Sequence, residues 1–323
     1  MKKWLSLFFL IIILLVPNVQ SIFSDLKDPY PPGQPTSGPG GSDYLHTGVK
    51  KSSYRWGPKQ FWIFEPNSPK PESAPLIAFI HGYYAMFPFY YQTWINHIVK
   101  KGNIVVYPRY QMGFILGYWN YHKNAVNAIK DAINILNNGD HVKPEIDKFA
   151  VVGHSLGGGI TVHIASVAEE KGLPLPKAIM PVDPFLAPYH EFDLNKIPNG
   201  IYMLVIVSQD DTVAGNESGN TIYYNTPQIS ITQKDYIIQV TDAYGSPDLE
   251  AGHHAPLCMP GYFSYTVDAL DYYSTWKLFD ALTDFAFYGI NKEYCLGNTN
   301  KQRFMGYWSD GNPVKEMIVT DFP

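Results

Sequence analysis

The clearest chemistry in this chain lies in Gly153-His154-Ser155-Leu156-Gly157, where one serine stands between two glycines. A short apolar run, Phe149 to Val152, precedes it, and apolar residues at helical spacing, Ile160, Ile164, Val167 and Ala168, follow it. A strand that turns abruptly into a helix strains the residue at the bend, and the residues two away must lack bulk for the turn to close. Such a turn holds the Ser155 hydroxyl at the strand tip and at a helix N-terminus, where the Leu156 N–H can donate and the helix dipole favours negative charge. The chemistry that this pattern serves is acyl transfer through a covalent serine intermediate. His154, the neighbour of the serine, reads as packing.

An oxyanion needs a second donor. The apolar run "PLIAFIHGY" ends in His81-Gly82-Tyr83, and Gly82 lets the backbone come close enough to aim the Tyr83 N–H at the same point as that of Leu156. The serine also needs an imidazole to take its proton. Nucleophile, then acid, then histidine is the chain order for a serine on this kind of turn, which leaves His163, His190, His253 and His254. "EAGHHAPLC" follows the last expected strand, so the base is His253 or His254. The acid should end a strand. "YMLVIVSQDDTVAG" ends in Asp210-Asp211, and "AIMPVDPFLAP" offers Asp183 as the rival one strand earlier.

Those residues must be carried by a frame, and the sequence implies one. Short apolar runs at 75–83, 103–110, 149–155, 178–184, 202–210 and 236–240 lack alternation, as strands buried on both faces do. Two earlier strands are expected within 44–54 and 59–66. Helical spacing separates later runs: Ala125, Ile129, Ala132 and Leu136 before Gly139, the segment after Ser155 before Gly172, and Asp268 to Tyr288 before Gly289. Strands alternating with helices mean a mostly parallel sheet covered on both sides. Residues 22–43, rich in Pro and Gly, read as an extended arm, and 44–323 as one catalytic domain whose tail forms a hairpin at Asp310-Gly311.

Residues 1–21, with Lys2 and Lys3 ahead of an apolar run from Trp4 to Val16, read as a signal peptide, so a secreted or periplasmic protein is expected. The run falls short of the roughly 20 residues that span a bilayer, and stable membrane insertion is not expected. Without the leader, 22 basic side chains face 29 acidic ones, which argues against nucleic acid as a partner. Export would carry Cys258 and Cys295 into an oxidising compartment, where a disulfide between them is expected, closing a loop that could stabilise by roughly 4 kcal/mol. No residues stand at metal-ligand spacing, so no metal or cofactor is expected, and the protein should act as a monomer.

With "HGYYA", "GHSLGGG", "DDTVA" and "HHAP" in place, the chain resembles the α/β-hydrolases, and within them cutinase-like polyester hydrolases and platelet-activating-factor acetylhydrolases. The likeness runs from about Gly38 to Gly289. It implies an α/β-hydrolase fold with about eight strands, helices on both faces and no large lid. It also implies Ser155 as nucleophile, Asp211 as acid, His253 as base, and Tyr83 and Leu156 as oxyanion donors. The chain departs from that family in its long segment 212–252, its C-terminal hairpin and the lack of a Trp before the serine. An open cleft with Tyr84, Phe87 and Trp119 in its wall would suit an ester substrate of the acyl, lipid or polyester kind. A serine peptidase or a silent hydrolase-fold binding module are the rival readings; the first lacks any sign of a peptide groove and the second requires a lost catalytic residue.

Overall fold

The structure is a computed structural model that describes residues 28–113, 118–188, 193–261 and 266–323. The expected leader, 1–21, and His190 lie outside those residues. All eight expected strands are present as β1 (Gly48–Tyr54), β2 (Phe61–Asn67), β3 (Ser73–Ile80), β4 (Ile104–Pro108), β5 (Lys143–His154), β6 (Ala178–Val182), β7 (Tyr202–Ser208) and β8 (Lys234–Gln239), and a ninth, β9 (Ile318–Thr320), comes from the tail. They form one sheet in the order β1-β2-β4-β3-β5-β6-β7-β8-β9. From β4 to β8 every pairing is parallel, while β1, β2 and β9 add antiparallel edges. This is the α/β-hydrolase fold.

The apolar runs are continuous because each central strand feeds two cores. In β3, Leu76, Ala78 and Ile80 point to one side and Ile77 and Phe79 to the other; in β5, Phe149 and Val151 alternate with Ala150 and Val152 in the same way. The first side is covered by α1 (Tyr121–Leu136) and α2 (Leu156–Val167), and also by α3 (Glu217–Tyr224). The second is covered by α4 (Gln92–Lys100), through Trp94, Ile95 and Ile98, and by α5 (Trp276–Tyr288), through Leu278, Phe279 and Leu282. The expected helix from about Asp268 to Tyr288 is present as an unbroken helical run, 269–288, of which α5 is the regular part. Its first turns, Asp271–Thr275, widen to π type, where the Asp268 and Asp271 carboxylates accept the N–H groups of Leu270 and Asp268.

Among the described residues no helix is long and apolar enough to cross a membrane. Between β6 and β7 the described chain carries one 3-10 turn, Leu194–Lys196, and no helical cap. The arm, from residue 28 to 43, holds neither helix nor strand but is tied to the body. The Ser246 N–H donates to the Pro29 carbonyl (2.8 Å), the Tyr30 N–H to the Ser309 hydroxyl (3.1 Å) and the Gly40 N–H to the Asp280 carboxylate of α5 (2.8 Å). The same carboxylate meets His97 Nε2 at 2.9 Å, and His97 Nδ1 lies 3.2 Å from the Tyr44 hydroxyl. At Asp310-Gly311 the chain turns back, the Trp308 N–H donating to the Asn312 carbonyl (2.7 Å), and the tail goes on to β9 on the edge of β8.

The expected disulfide is corrected: Cys258 and Cys295 are separate buried thiols. Cys258 clamps the start of α4, where its sulfur accepts the Trp94 N–H at 3.2 Å and its carbonyl accepts the Thr93 hydroxyl at 3.1 Å. Helix α4 has no side-chain cap of its own, so this contact from outside serves one of its open N–H groups. Cys295 lies beyond α5, where its thiol turns to the Lys292 carbonyl (3.4 Å) and its own carbonyl accepts the Gln302 side chain. Burial pushes both thiols well above the ordinary cysteine value, which keeps them unreactive. A thiol titration of the denatured, unreduced protein should count both cysteines, and reductant should leave the melting temperature unchanged; a count of zero would restore the bridge.

Candidate active site

Ser155 is the bend between β5 and α2, with φ 57° and ψ −125°, a conformation that side-chain-bearing residues rarely adopt. The glycines around it are required. A Cβ on Gly153 would strike the Gly157 carbonyl and the Thr161 hydroxyl, and one on Gly157 would strike the carbonyls of Ile80 and His81 at the end of β3. The Ser155 carbonyl accepts the N–H groups of Gly158 (2.8 Å) and Phe185 (2.9 Å), and its own N–H donates to Val182 (2.9 Å). The bend is thus fixed by β3, β6 and α2 together.

The structure brings Ser155, His253 and Asp211 into one line. His253 Nε2 lies 3.0 Å from Ser155 Oγ, and His253 Nδ1 lies 2.7 Å from Asp211 Oδ2. All three are buried. The other oxygen of Asp211 accepts the N–H groups of Val213 and Ala214, both at 2.8 Å, so "DDTVA" is a loop that folds back to hold its own carboxylate. Asp210 instead accepts the Thr241 hydroxyl and faces solvent. The His254 ring sits edge-on to His253 at 5.5 Å and lines a cavity that His253 also lines.

Asp183 ends β6 as expected but bonds neither His253 nor Ser155. Its carboxyl takes the Ser208 N–H at 2.6 Å and meets the Ser208 hydroxyl at 3.0 Å. That hydroxyl also faces Gln239 Oε1 at 3.0 Å, while the Gln239 amide NH₂ is committed to Ser274 and Leu270. One hydroxyl proton cannot serve two acceptors, so the set is satisfied when Asp183 itself carries a proton and donates it to Ser208. Burial, and then the charge of Asp211, push the Asp183 carboxyl well above the usual carboxylate range, in the same direction.

A cavity of about 220 Å³ opens beside Ser155, lined by Gly82, Tyr83, Tyr84, Ala85, Tyr90, Tyr91, His154, His253, His254, Leu257 and Met259. Gly82 is pressed against the nucleophile: a Cβ on it would stand 3.3 Å from that of Ser155. Tyr83 follows directly, and Leu156 occupies the first turn of α2, where the helix supplies no acceptor for its N–H. The loop is held by Tyr84, whose N–H donates to Gln111 Oε1 (2.9 Å), and by Tyr107, whose hydroxyl donates to the Ala85 carbonyl (2.5 Å).

Of the three residues expected to bind substrate, Tyr84 lines this cavity; Phe87 and Trp119 do not, and are corrected. Phe87 packs edge-on against Trp62 at 6.0 Å, beneath the Arg109 guanidinium at 5.0 Å, and leads into a Pro-initiated turn that carries it off the cavity. Trp119 is 59% exposed and packs on Tyr118. Their places are taken by Tyr90, Leu257 and Met259, which no motif marked. The sequence reading also passed over Tyr91, Gln111 and Ser208; the only signal was a polar group at the end of an apolar run.

His154, Asp183 and His253 each bring one possible ligand atom within 4.8 Å of the others. The set does not suit a metal ion. Both nitrogens of each histidine are already engaged, and Asp183 is committed to Ser208.

Because folding raises the Asp183 pKa, its burial favours the fold at low pH, and stability is lost as pH rises through the folded-state value. Asn can reproduce every bond of the protonated acid. Asp183→Asn should therefore nearly match the wild type in thermal unfolding near pH 4, where the aspartate of the unfolded chain is still half protonated, and exceed it near pH 8, where about 1 kcal/mol or more separates them. A variant less stable at both values would overturn the protonated state.

A family model described as Chlorophyllase, a family of α/β-hydrolase-type esterases, matches residues 40–193. The matched stretch contains "HGYYA" and "GHSLGGG" and ends before Asp211 and His253. No curated protein matches the chain. The family match and the fold agree on the α/β-hydrolase superfamily.

Proposed function

We propose that the protein is a serine carboxylic-ester hydrolase, exported by its leader, that works through Ser155, His253 and Asp211 and an acyl-enzyme. The observation that carries this reading is the hydrogen-bonded line from Asp211 through His253 to Ser155 on a strained turn. The likeness to esterases in the family match and in the motifs supports it.

In this mechanism His253 Nε2 takes the Ser155 proton as Oγ attacks the ester carbonyl. Asp211 holds the ring with its proton on Nδ1 and balances the charge that the imidazole gains. The carbonyl oxygen, now an anion, is stabilised by the Leu156 and Tyr83 N–H groups and by the N-terminus of α2. When the tetrahedral centre collapses, His253 returns the proton to the departing alcohol, and a water then repeats the sequence to free the acid. The cavity of about 220 Å³ beside Ser155, walled by Tyr84, Leu257 and Met259, suits a short acyl group.

Ser155→Ala should lower turnover of p-nitrophenyl butyrate by several orders of magnitude and abolish labelling by a fluorophosphonate, with the melting temperature unchanged. Asp211→Asn should cost a large factor, up to roughly ten-thousandfold, whereas Asp183→Asn should stay within about threefold of wild type. Peptide anilides should not be cleaved. Labelling of a different serine, or a crippled Asp183→Asn beside a near-normal Asp211→Asn, would sink the assignment.

A further inference from the structure

One buried chain of hydrogen bonds joins the two loops that the proposed chemistry uses from opposite sides of Ser155. The Gly82 N–H donates to the Tyr91 hydroxyl oxygen at 3.0 Å. The Tyr91 hydroxyl meets His154 Nδ1 at 2.7 Å, and His154 Nε2 meets the backbone carbonyl of His253 at 2.8 Å. Tyr91 and His154 are 0% and 3% exposed, so water does not complete these bonds.

The partners fix the direction of every proton. A carbonyl only accepts, so His154 Nε2 must carry a proton. Burial, and then His253, hold His154 far toward its neutral form, so Nδ1 has a lone pair and accepts from Tyr91. The Tyr91 oxygen is left with a lone pair for the Gly82 N–H. Only one tautomer of His154 satisfies all four groups, and in that state none is left over. The ring centroids of His154 and His253 also lie 4.8 Å apart, the planes tilted by 44°, so the donor and the residue it holds are packed together.

We infer that His154 is a positioning residue: held as its Nε2–H tautomer between the His253 carbonyl and the Tyr91 hydroxyl, it fixes the His253 backbone relative to the Gly82 loop, so base and oxyanion donors keep one spacing about Ser155. This rests on the reading of Ser155, His253 and Asp211 given above. Neither His154 nor Tyr91 touches the reacting atoms in this scheme. Their effect is on the His253 main chain and, through the Gly82 N–H, on the loop that carries Tyr83.

Two substitutions break the chain at different bonds. Tyr91→Phe removes the hydroxyl that donates to His154 Nδ1 and accepts the Gly82 N–H, and His154→Phe removes the donor to His253. We expect kcat to fall about tenfold in the first and about hundredfold in the second, with KM within about twofold of wild type. The double variant should resemble His154→Phe alone, because groups acting in series are not additive. His154→Gln, whose amide can donate to the carbonyl and accept from the tyrosine, should recover most of kcat. Nitrogen-15 NMR of the histidines reads the tautomer directly: His154 should be protonated on Nε2 alone in the wild type and remain so in Tyr91→Phe, where the Nδ1 resonance shifts because its hydrogen bond is gone. A charged or Nδ1-protonated His154, additive losses, or kcat unchanged in His154→Phe would each overturn the proposal. Failure of Ser155 to react with a fluorophosphonate, beside the expected NMR tautomer, would remove the hydrolase reading while leaving the tie between the loops.

Discussion

The rest of the site depends on the absence of side-chain atoms at Gly153 and Gly157. Without them β5 can pass into α2 within one residue, and the end of β3 can press against the turn. The backbone of Ser155 is costly in isolation, by about 1–3 kcal/mol, and it persists because its N–H and carbonyl are engaged by Val182 of β6, by Phe185 just beyond β6 and by Gly158 of α2. Gly157 is held against the carbonyls of Ile80 and His81, which are the residues that launch the Gly82 loop. The nucleophile and the loop expected to stabilise the oxyanion are therefore parts of one close contact, and neither can shift without the other.

Electrostatics divides the work between two aspartates at neighbouring strand ends. Asp211 has two backbone N–H groups and the His253 ring around it, all donors. Asp183 has one N–H and a hydroxyl that is already wanted elsewhere, in an enclosed site with Asp211 as a repelling neighbour. Two identical side chains just beyond the ends of β6 and β7 thus meet different surroundings. That difference, more than distance along the chain, marks which of them can balance the charge of a protonated imidazole.

Much of this architecture was legible because its signals are local. The eight strands are apolar runs bounded by turns, and the nucleophile turn is a five-residue pattern whose sterics can be read directly. The pairing of Asp211 with His253 rather than Asp210 with His254 could be read only from family likeness, since adjacent residues of one type carry no positional signal. What could not be read depends on tertiary placement. The ninth strand is three residues of an otherwise irregular tail, and it is a strand only because β8 is beside it. Phe87 and Trp119 were expected at the cleft because aromatic residues cluster there in sequence, yet a proline-led turn and packing on Tyr118 take them away. The thiols were read from the compartment that the leader implies. Their hydrogen bonds show that each instead has a separate task in the fold.

The arm bears on how the chain tolerates trimming. Its Pro and Gly content makes it look like an expendable tether, yet the Gly40 N–H completes the shell of Asp280, a carboxylate sunk against α5 and shared with His97. Cleaving the polypeptide between Pro35 and Asp43 would take one donor from an enclosed carboxylate and loosen Tyr44 from His97. Shortened versions of the protein that begin at the first strand would therefore be weakened inside α5, some 240 positions downstream of the cut, and a protease that nicks this segment would act on the core as surely as one that severs a helix.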